Sequence, residues 1–99
     1  MTALRIAPQA RRDLASIWSY TAEAWGRAQA DDYTANLYRD MNRLHDFADM
    51  GSPHMSRVGN FRKLSSGHHL IFYVVDDDGV EIVRLLHERM DVRSVYDLG

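Results

Sequence analysis

The sequence predicts one α+β domain, in which a strand and two helices precede a three-stranded antiparallel meander. Apolar residues recur through the first half of the chain with a helical period of about 3.6 residues. Short apolar runs separated by turn residues fill the second half. The chain has 99 residues, 45% of them hydrophobic, which suits a single core. We therefore expect residues 1–99 to form one domain of order β-α-α-β-β-β, with the helices packed on one face of the sheet.

The N-terminal half should contain a short strand and a helical hairpin. An extended segment over residues 4–7 stops at Pro8, which fits the first turn of a helix. The first helix should follow at once, carry an apolar stripe from Ala10 onward, and end at Gly26. A second helical pattern covers residues 28–48, so the two helices are expected to form an αα-hairpin.

The C-terminal half should form the sheet. Glycine and proline at loop spacing, without any period, indicate an irregular connection over residues 49–59. A later run is apolar and aromatic throughout, which predicts a central strand buried on both faces. It ends in an acidic hairpin turn, where Gly79 supplies a positive φ. The predicted elements are a strand over residues 60–64, a turn at 65–67, the central strand at 69–75, the hairpin turn at 76–79 and a returning strand at 80–87.

The returning strand runs directly into a polar segment, and this join is the best indication of function. Strand ends present binding groups on a rigid scaffold. Eleven of the twelve cationic side chains of the chain are arginine, which pairs carboxylates and phosphates bidentately. The candidate recognition residues are the cationic and polar side chains near strand ends, namely Arg62, Lys63, Arg84, His87, Arg89 and Asp91.

Several motifs follow one another along nearly the whole chain. The helical ones are Ala10 with Asp13-Leu14 and Ile17, then Tyr20, Trp25-Gly26, Ala30 and Tyr33. In the predicted sheet, Arg62 leads to the run over residues 67–73. The most specific motif is the segment 82–87 followed by Arg89-Met90-Asp91. This ordered set resembles the ParE branch of the RelE/ParE toxin superfamily, from bacterial toxin–antitoxin systems.

The resemblance implies a toxin that a cognate antitoxin, usually ParD-like, neutralises, and that poisons DNA gyrase in its DNA-cleaving state. Such a toxin is a stoichiometric inhibitor, so neither a cofactor nor a catalytic residue is expected. The six recognition residues would then contact gyrase or its cleaved DNA. Trp25 and Tyr38 are expected to contact the antitoxin, whereas Trp18 and Tyr33 are expected in the core. A non-toxic binding module that retains the fold is an alternative.

The RelE branch gives the rival interpretation, a ribosome-dependent messenger RNA endonuclease, because fold alone does not separate the branches. Cleavage beside a 2′-hydroxyl needs a proton acceptor, a proton donor and cations for the charged transition state. The candidates for these roles are His87, Arg84, Arg62 and Lys63. Alternate side chains of a strand point to opposite faces, so Arg84 diverges from His87 unless a bulge or the strand end intervenes. Arg62 and Lys63 diverge for the same reason.

The same residues also have structural interpretations. A partly buried His87 that bonds to the backbone is the alternative to an acid/base catalyst. Arg84 suits an ion pair with Glu81 or Asp91 as well as a target contact, since an arginine inside an apolar strand needs a carboxylate partner. Asp91 could instead cap a short C-terminal turn.

Composition argues against several other classes of function. The chain has no cysteine, so it has no disulfide and no thiol nucleophile, and a reducing, cytoplasmic location is expected. It shows neither a signal-peptide pattern nor an apolar run that would span a membrane. A net charge of -2 disfavours direct sequence-specific nucleic-acid binding through a broad cationic face. The histidines show no pair at the spacing of a helical zinc site, so no metal is expected.

Overall fold

The computed structural model describes residues 3–56 and 59–90. Within them, two helices and five strands form an α+β arrangement with one strand more than the four that the sequence predicts, and the ends of the predicted elements differ from the observed ones by at most two residues. The elements are β1 Ala3–Ile6, α1 Pro8–Trp25, α2 Arg27–Asp46, β2 Ser52–Ser56, β3 Gly59–Ser66, β4 His69–Asp76 and β5 Gly79–His87. Gly26 separates the helices with a φ of 94°, and Gly79 begins β5 with a φ of 132°, as expected for both glycines.

The five strands form one mixed sheet of order β1-β5-β4-β3-β2. β1 runs parallel to β5, and the other neighbours pair antiparallel. The prediction of an irregular connection before β3 is wrong over residues 52–56, which form the edge strand β2. Pro53 cannot donate to a ladder and is accommodated only at such an edge. β2 also lacks apolar alternation, because an edge strand needs little of it, so no local pattern indicates a strand there.

Both helices pack on one face of the sheet, as predicted. Their buried apolar side chains meet those of β4 and β5 in a single cluster, whose burial supplies the main driving force for folding. Within the described residues, neither helix is long and apolar enough to cross a membrane. The cluster includes Leu14 and Ile17 of α1, Leu37, Met41 and Leu44 of α2, Ile71 and Tyr73 of β4, and Ile82 and Leu85 of β5.

The opposite face of the sheet carries a second, smaller apolar cluster. Phe72 and Leu86 are buried there, and Phe61, Leu70 and Val83 pack against them. Because successive side chains of a strand point to opposite faces, β4 contributes to both clusters. This two-sided burial explains the continuous apolar run that marks β4 in the sequence.

A β-bulge interrupts the regular alternation between β4 and β5. The pairing register shifts between Phe72 and Tyr73, which makes Val83 the extra residue of β5. As a result Ile82 and Leu85, three positions apart, both face the helices and enter the same cluster. The bulge therefore determines which face of the sheet the side chains after Val83 in β5 point to.

A buried tyrosine anchors the loop between α2 and β2. The Tyr73 hydroxyl donates to the Ala48 carbonyl at 2.8 Å and accepts the Gly51 N–H at 2.9 Å. A Cβ at position 51 would lie 2.6 Å from that hydroxyl oxygen, so only glycine fits there without displacement. The Tyr73 side chain thus holds the loop against the core.

Candidate functional site

A groove lies where the helical hairpin meets the ends of β4 and β5. Its volume is about 900 Å³, which is large enough for a segment of polypeptide or a small molecule. Aromatic side chains and imidazoles contribute much of its lining. The principal lining residues are Ile17, Tyr20 and Trp25 of α1, Tyr33 of α2, and His68, His69 and His87 at the end of the sheet.

Tyr33 connects α2 to the histidines of the groove. Its hydroxyl forms a hydrogen bond with His69 Nδ1 at 2.5 Å and accepts the backbone N–H of His68 at 3.0 Å. Burial, with the neighbouring imidazoles of His87 and His68, lowers the pKa of His69 to about 4, so this ring is neutral at pH 7. Burial raises the pKa of Tyr33, which keeps its hydroxyl protonated. The two groups therefore form a neutral hydrogen-bonded pair between α2 and β4.

His87 ends β5 and is held by the polar turn that follows. Its Nδ1 accepts the backbone N–H of Arg89 at 3.1 Å, and its carbonyl accepts that of Met90 at 2.9 Å. The Glu88 N–H donates to the carbonyl of His68 at 2.9 Å, which ties this turn to the one before β4. The half-buried, backbone-bonded His87 of the structural interpretation is confirmed. Asp91, with the turn that it is expected to cap, lies outside the described residues.

Arg84, next to the bulge, is buried in an ion pair with Asp13 of α1. Its Nε and Nη2 donate to the two carboxylate oxygens at 2.8 and 3.2 Å, and the Leu85 N–H donates to Asp13 Oδ2 at 3.0 Å. Arg84 pairs with a carboxylate as expected, but the partner that the described residues show is Asp13, whereas the expected candidates were Glu81 and Asp91. Because the Arg84 side chain is only 11% exposed, it offers a target little surface, contrary to the expected target contact.

The two cations of β3 do not meet, as expected from strand alternation. Arg62 donates Nη2 to the carbonyls of Asp49 and Gly51 at 3.0 and 2.6 Å, and so braces the loop after α2. Lys63 pairs with Phe72, and directly opposed residues of two strands share a face. Lys63 therefore lies on the face of the second apolar cluster, away from the helices.

Proteins with known names match this chain over most of its length. A sequence profile of the ParE toxin of the type II toxin–antitoxin system parDE matches residues 4–92. The chain belongs to the ParE toxin family. Toxin ParE1 of Caulobacter vibrioides is 35% identical over 94 residues, which cover 95% of this chain and 97% of the relative. Toxin ParE1 of Mycobacterium tuberculosis is 36% identical over 88 residues, which cover 88% of this chain and 90% of the relative.

A solved structure shows the same fold as this ParE family member. It is a chain from the chromosomal ParDE toxin–antitoxin system of P. aeruginosa, with a TM-score of 0.78 and 20% sequence identity. The likeness covers 88% of this chain and 96% of that one. The observed arrangement of two helices on one face of the sheet is therefore the ParE fold.

Two aromatic residues that the sequence assigns to the antitoxin lie on separate surfaces of this ParE toxin. Trp25 is 75% exposed and lines the groove, whereas Tyr38 is 44% exposed and lies in a smaller depression beside Trp18. Trp18, expected in the core, is only half buried, because its indole N–H donates to Asp31 Oδ1 at 2.9 Å across the hairpin. Tyr33 packs against the core as expected.

The histidine cluster of this ParE toxin is the part of the site that sequence reasoning missed. The ring centroid of His87 lies 6.4 Å from that of His68 and 5.3 Å from that of His69. Adjacent histidines are expected to diverge on a strand, but His68 lies in the turn before β4. Counting pairs outward from the acidic hairpin turn places His69 opposite Leu86, and only the bulge at Val83 shifts the register so that His69 pairs with His87, which no local pattern indicates. Among the described residues, no group of acidic or histidine side chains has the arrangement of a metal site.

Proposed function

We propose that this ParE toxin inhibits DNA gyrase stoichiometrically and that a ParD-like antitoxin neutralises it by direct binding. Membership of a toxin–antitoxin family supports an antitoxin as partner. The ParDE system named for the structural neighbour supports the same pairing. A target of this kind requires a cytoplasmic location, which the absence of cysteine also suits.

The observation that carries this proposal is the dispersal of the groups that RNA cleavage would need. Lys63 and His87 lie two strands apart and three residues out of register, which is about 10 Å across the sheet and about 10 Å along it. They also face opposite sides of the sheet. Arg84 is committed to Asp13, and Arg62 to backbone carbonyls. These candidates do not bring an acid, a base and a cation together at one place. The geometry therefore favours stoichiometric binding over RelE-like RNA cleavage.

The target-binding surface that we propose is centred on the turn after β5. Arg89 is exposed there, and its own N–H is fixed to the His87 ring, so the backbone that carries the guanidinium is held in place. A fixed arginine fork can bind a carboxylate or a phosphate with two hydrogen bonds. Asp91 follows two residues later in the sequence, and Lys63 is a proposed contact on the other face. Arg62 and Arg84 serve the fold that supports this surface.

The antitoxin surface that we propose is the exposed aromatic side of the helical hairpin. Tyr20 and Trp25 are 73% and 75% exposed beside the groove, and Tyr38 is exposed at the smaller depression. An amphipathic segment laid over the hairpin would bury these rings, at about 25 cal/mol for each Å² of apolar surface removed from water. We therefore expect the isolated chain to be poorly soluble and co-expression with its antitoxin to correct this.

The decisive experiment follows both possible targets in the same cells. The chain is expressed inducibly, while gyrase-dependent DNA breaks, plasmid supercoiling and messenger RNA integrity are measured. Arg89→Ala should abolish the gyrase effect, whereas Arg39→Ala, at an exposed arginine of α2, serves as the matched control and should retain it. Co-expression of the antitoxin should protect the cells from the unmodified chain.

Three outcomes separate the alternatives. DNA breaks that need gyrase and Arg89 support the proposal. Transcripts cut at ribosomes, with gyrase unaffected, show a RelE-like nuclease and refute the proposed target. Antitoxin binding without either effect identifies a non-toxic binding module that retains the fold.

A further inference from the structure

The face of the sheet opposite the helices holds two side chains that are buried as deeply as the main core. Phe72 and Leu86 are each 1% exposed. Ile71 and Tyr73, the neighbours of Phe72 in β4, are 0% exposed on the other face, where the two helices cover them. Within the described residues both helices pack on that other face, and all five strands belong to the sheet itself. A further part of the chain must therefore lie over Phe72 and Leu86.

Side chains of the same sheet surround Phe72 but do not account for its burial. The ring of His54 on β2 meets the Phe72 ring edge-on, with centroids 5.2 Å apart. Phe61, Leu70 and Val83 pack around the cluster and are themselves only partly buried. Because side chains stand roughly perpendicular to a sheet, such neighbours shield the flanks of a ring and leave its outer end open. A buried centre inside a partly exposed rim indicates a small segment that lies across the centre.

Two of the three segments outside the described residues are too short and too distant to cover Leu86. Residues 1–2 precede β1, whose first residue pairs with Gly79, about 23 Å along β5 from Leu86. Residues 57–58 precede Gly59 at the start of β3, about 20 Å along the sheet from the level of Leu86. Two residues span at most about 7 Å, so neither segment reaches that far.

The third segment, residues 91–99, begins beside the cluster and is long enough to cover it. It follows Met90, directly after the turn at the end of β5, the strand that carries Leu86. Phe72 pairs with Arg84, about 10 Å along β5 from the last residue of that strand. Nine residues span about 14 Å as a helix and up to about 30 Å when extended. The segment can therefore reach across both buried side chains in either conformation.

The sequence of residues 91–99 also has one apolar side. At about 100° per residue, its apolar side chains fall within one half of the circumference of a helix and its polar ones within the other half. The apolar residues are Val92, Val95, Tyr96 and Leu98, and the polar residues between them are Arg93, Ser94 and Asp97. Asp91 is expected to cap a turn at this position. An amphipathic turn of this kind suits an apolar sheet face below it and solvent above it.

We propose that residues 91–99 pack across the face of the sheet opposite the helices and cover Phe72 and Leu86. We call this segment the C-terminal strap. The strap closes the second apolar face in the way that the helical hairpin closes the first. A partner therefore reaches Phe72 only by displacing the strap, and this inference does not depend on the identity of the toxin's target.

The strap also determines how firmly the exposed Arg89 is presented. The turn that carries Arg89 is held at its start, where the N–H groups of Arg89 and Met90 donate to the Nδ1 and the carbonyl of His87. The strap holds the other end of this turn, because it begins at the residue after Met90. Loss of the strap should therefore loosen the turn as well as expose the apolar cluster.

The first test compares two substitutions that add the same charge at neighbouring positions of the full chain. Val95→Asp places a carboxylate on the apolar side of the strap, whereas Ser94→Asp, the matched control, places it on the polar side. Val95→Asp should lower the urea midpoint and increase the fluorescence of anilinonaphthalene sulfonate, a dye that binds exposed apolar surface. Ser94→Asp should leave both at the values of the unmodified chain.

Hydrogen exchange then reports on the turn itself. The Met90 N–H should exchange at least about tenfold faster in Val95→Asp, because burial of a valine side chain contributes more than a factor of ten to docking of the strap. The same amide should be unchanged in Ser94→Asp. If Val95→Asp does not fold, Val95→Ser replaces it, with the same expected directions and the same control.

Cysteine pairs locate the strap, because the chain has no cysteine of its own. Val95→Cys is combined either with Val83→Cys, on the sheet face, or with Gln29→Cys, in the groove on the helix side. Under mild oxidation the pair with Val83→Cys should form an intramolecular disulfide faster than the pair with Gln29→Cys, since a disulfide requires closely spaced positions.

Two results would overturn the inference. One is that Val95→Asp, or Val95→Ser in its place, matches Ser94→Asp in dye binding, urea midpoint and exchange of the Met90 N–H. The other is that the disulfide to position 83 forms no faster than the one to position 29, and a faster reaction at position 29 would place the strap in the groove. Neither measurement involves the antitoxin or gyrase, so failure of the strap leaves the proposed function standing.

Discussion

The buried ion pair between Asp13 and Arg84 offers a quantitative test of how this fold holds the end of its central hairpin. Asp13→Ala removes four hydrogen bonds, two from the guanidinium, one from the Leu85 N–H and one from the side-chain amide of Gln9. It also leaves the Arg84 charge in place, where the arginine and aspartate side chains are only 11% and 10% exposed. Solvent therefore cannot replace the lost carboxylate.

The expected loss follows from this burial. Removing one partner of a buried pair costs about 3–5 kcal/mol, because the remaining charge stays desolvated. A domain of this size has a total free energy of unfolding of roughly 5–15 kcal/mol. Asp13→Ala should therefore remove a large fraction of the stability. The double variant Asp13→Leu, Arg84→Met removes both charges and should recover most of the loss, since an apolar pair can replace a buried ion pair at little net change.

Urea denaturation followed by tryptophan fluorescence measures these differences through the midpoint, provided that the slope is unchanged. Arg5→Ala is the matched control, because Arg5 pairs with Asp76 at 2.7 Å where both side chains are exposed, so solvent screens the pair and its loss should cost little stability. If Asp13→Ala costs no more than this control, or if the double variant is as unstable as Asp13→Ala, the assigned role of the buried pair is wrong.

Three further predictions concern the groove and the loop between α2 and β2. Gly67→Ala should destabilise the protein by about 1–3 kcal/mol in urea, because φ is +58° there and a Cβ would lie 2.8 Å from the Tyr33 ring; no loss would contradict this close approach. Tyr73→Phe should cost about 1–3 kcal/mol, since it leaves the buried Gly51 N–H and the Ala48 carbonyl without their partner, and hydrogen exchange of that amide should accelerate. The folded-state pKa of His69 is lowered to about 4 from 6.5, so the unfolded chain binds its proton first and stability should fall as pH drops from 6.5 to 4. His69→Asn should flatten this fall in a pH series of urea midpoints, and an unchanged slope would refute the assignment.

The elements that the sequence predicted well are those with strong local signals. The central strand β4 carries an unbroken apolar run because both of its faces are buried, and glycines mark the end of α1 and the start of β5. β2 was missed because it lies at the sheet edge, where one-sided pairing tolerates Pro53 and polar neighbours. The strength of a local signal thus follows how much of an element is buried.

The candidate site was harder to predict because its contacts join distant parts of the chain. Arg84 and Asp13 are 71 residues apart, and Tyr33 and His69 are 36 apart, so no local period relates them. The sequence correctly indicated that His87 is partly buried and bonded to backbone, which is a property of a strand end. It could not indicate that three imidazoles gather at one end of a groove.

By itself, the sequence determined the order of the helices and strands and the membership of the ParE family, because both follow from the kinds and separations of residues along the chain. Only the tertiary structure decided which charged groups are available to a partner. Packing of α1 on β5 commits Arg84 to Asp13, while the turn after β5 leaves Arg89 exposed. The physical reason is that exposure and ion pairing depend on how the elements pack against one another, and a one-dimensional pattern does not contain that arrangement.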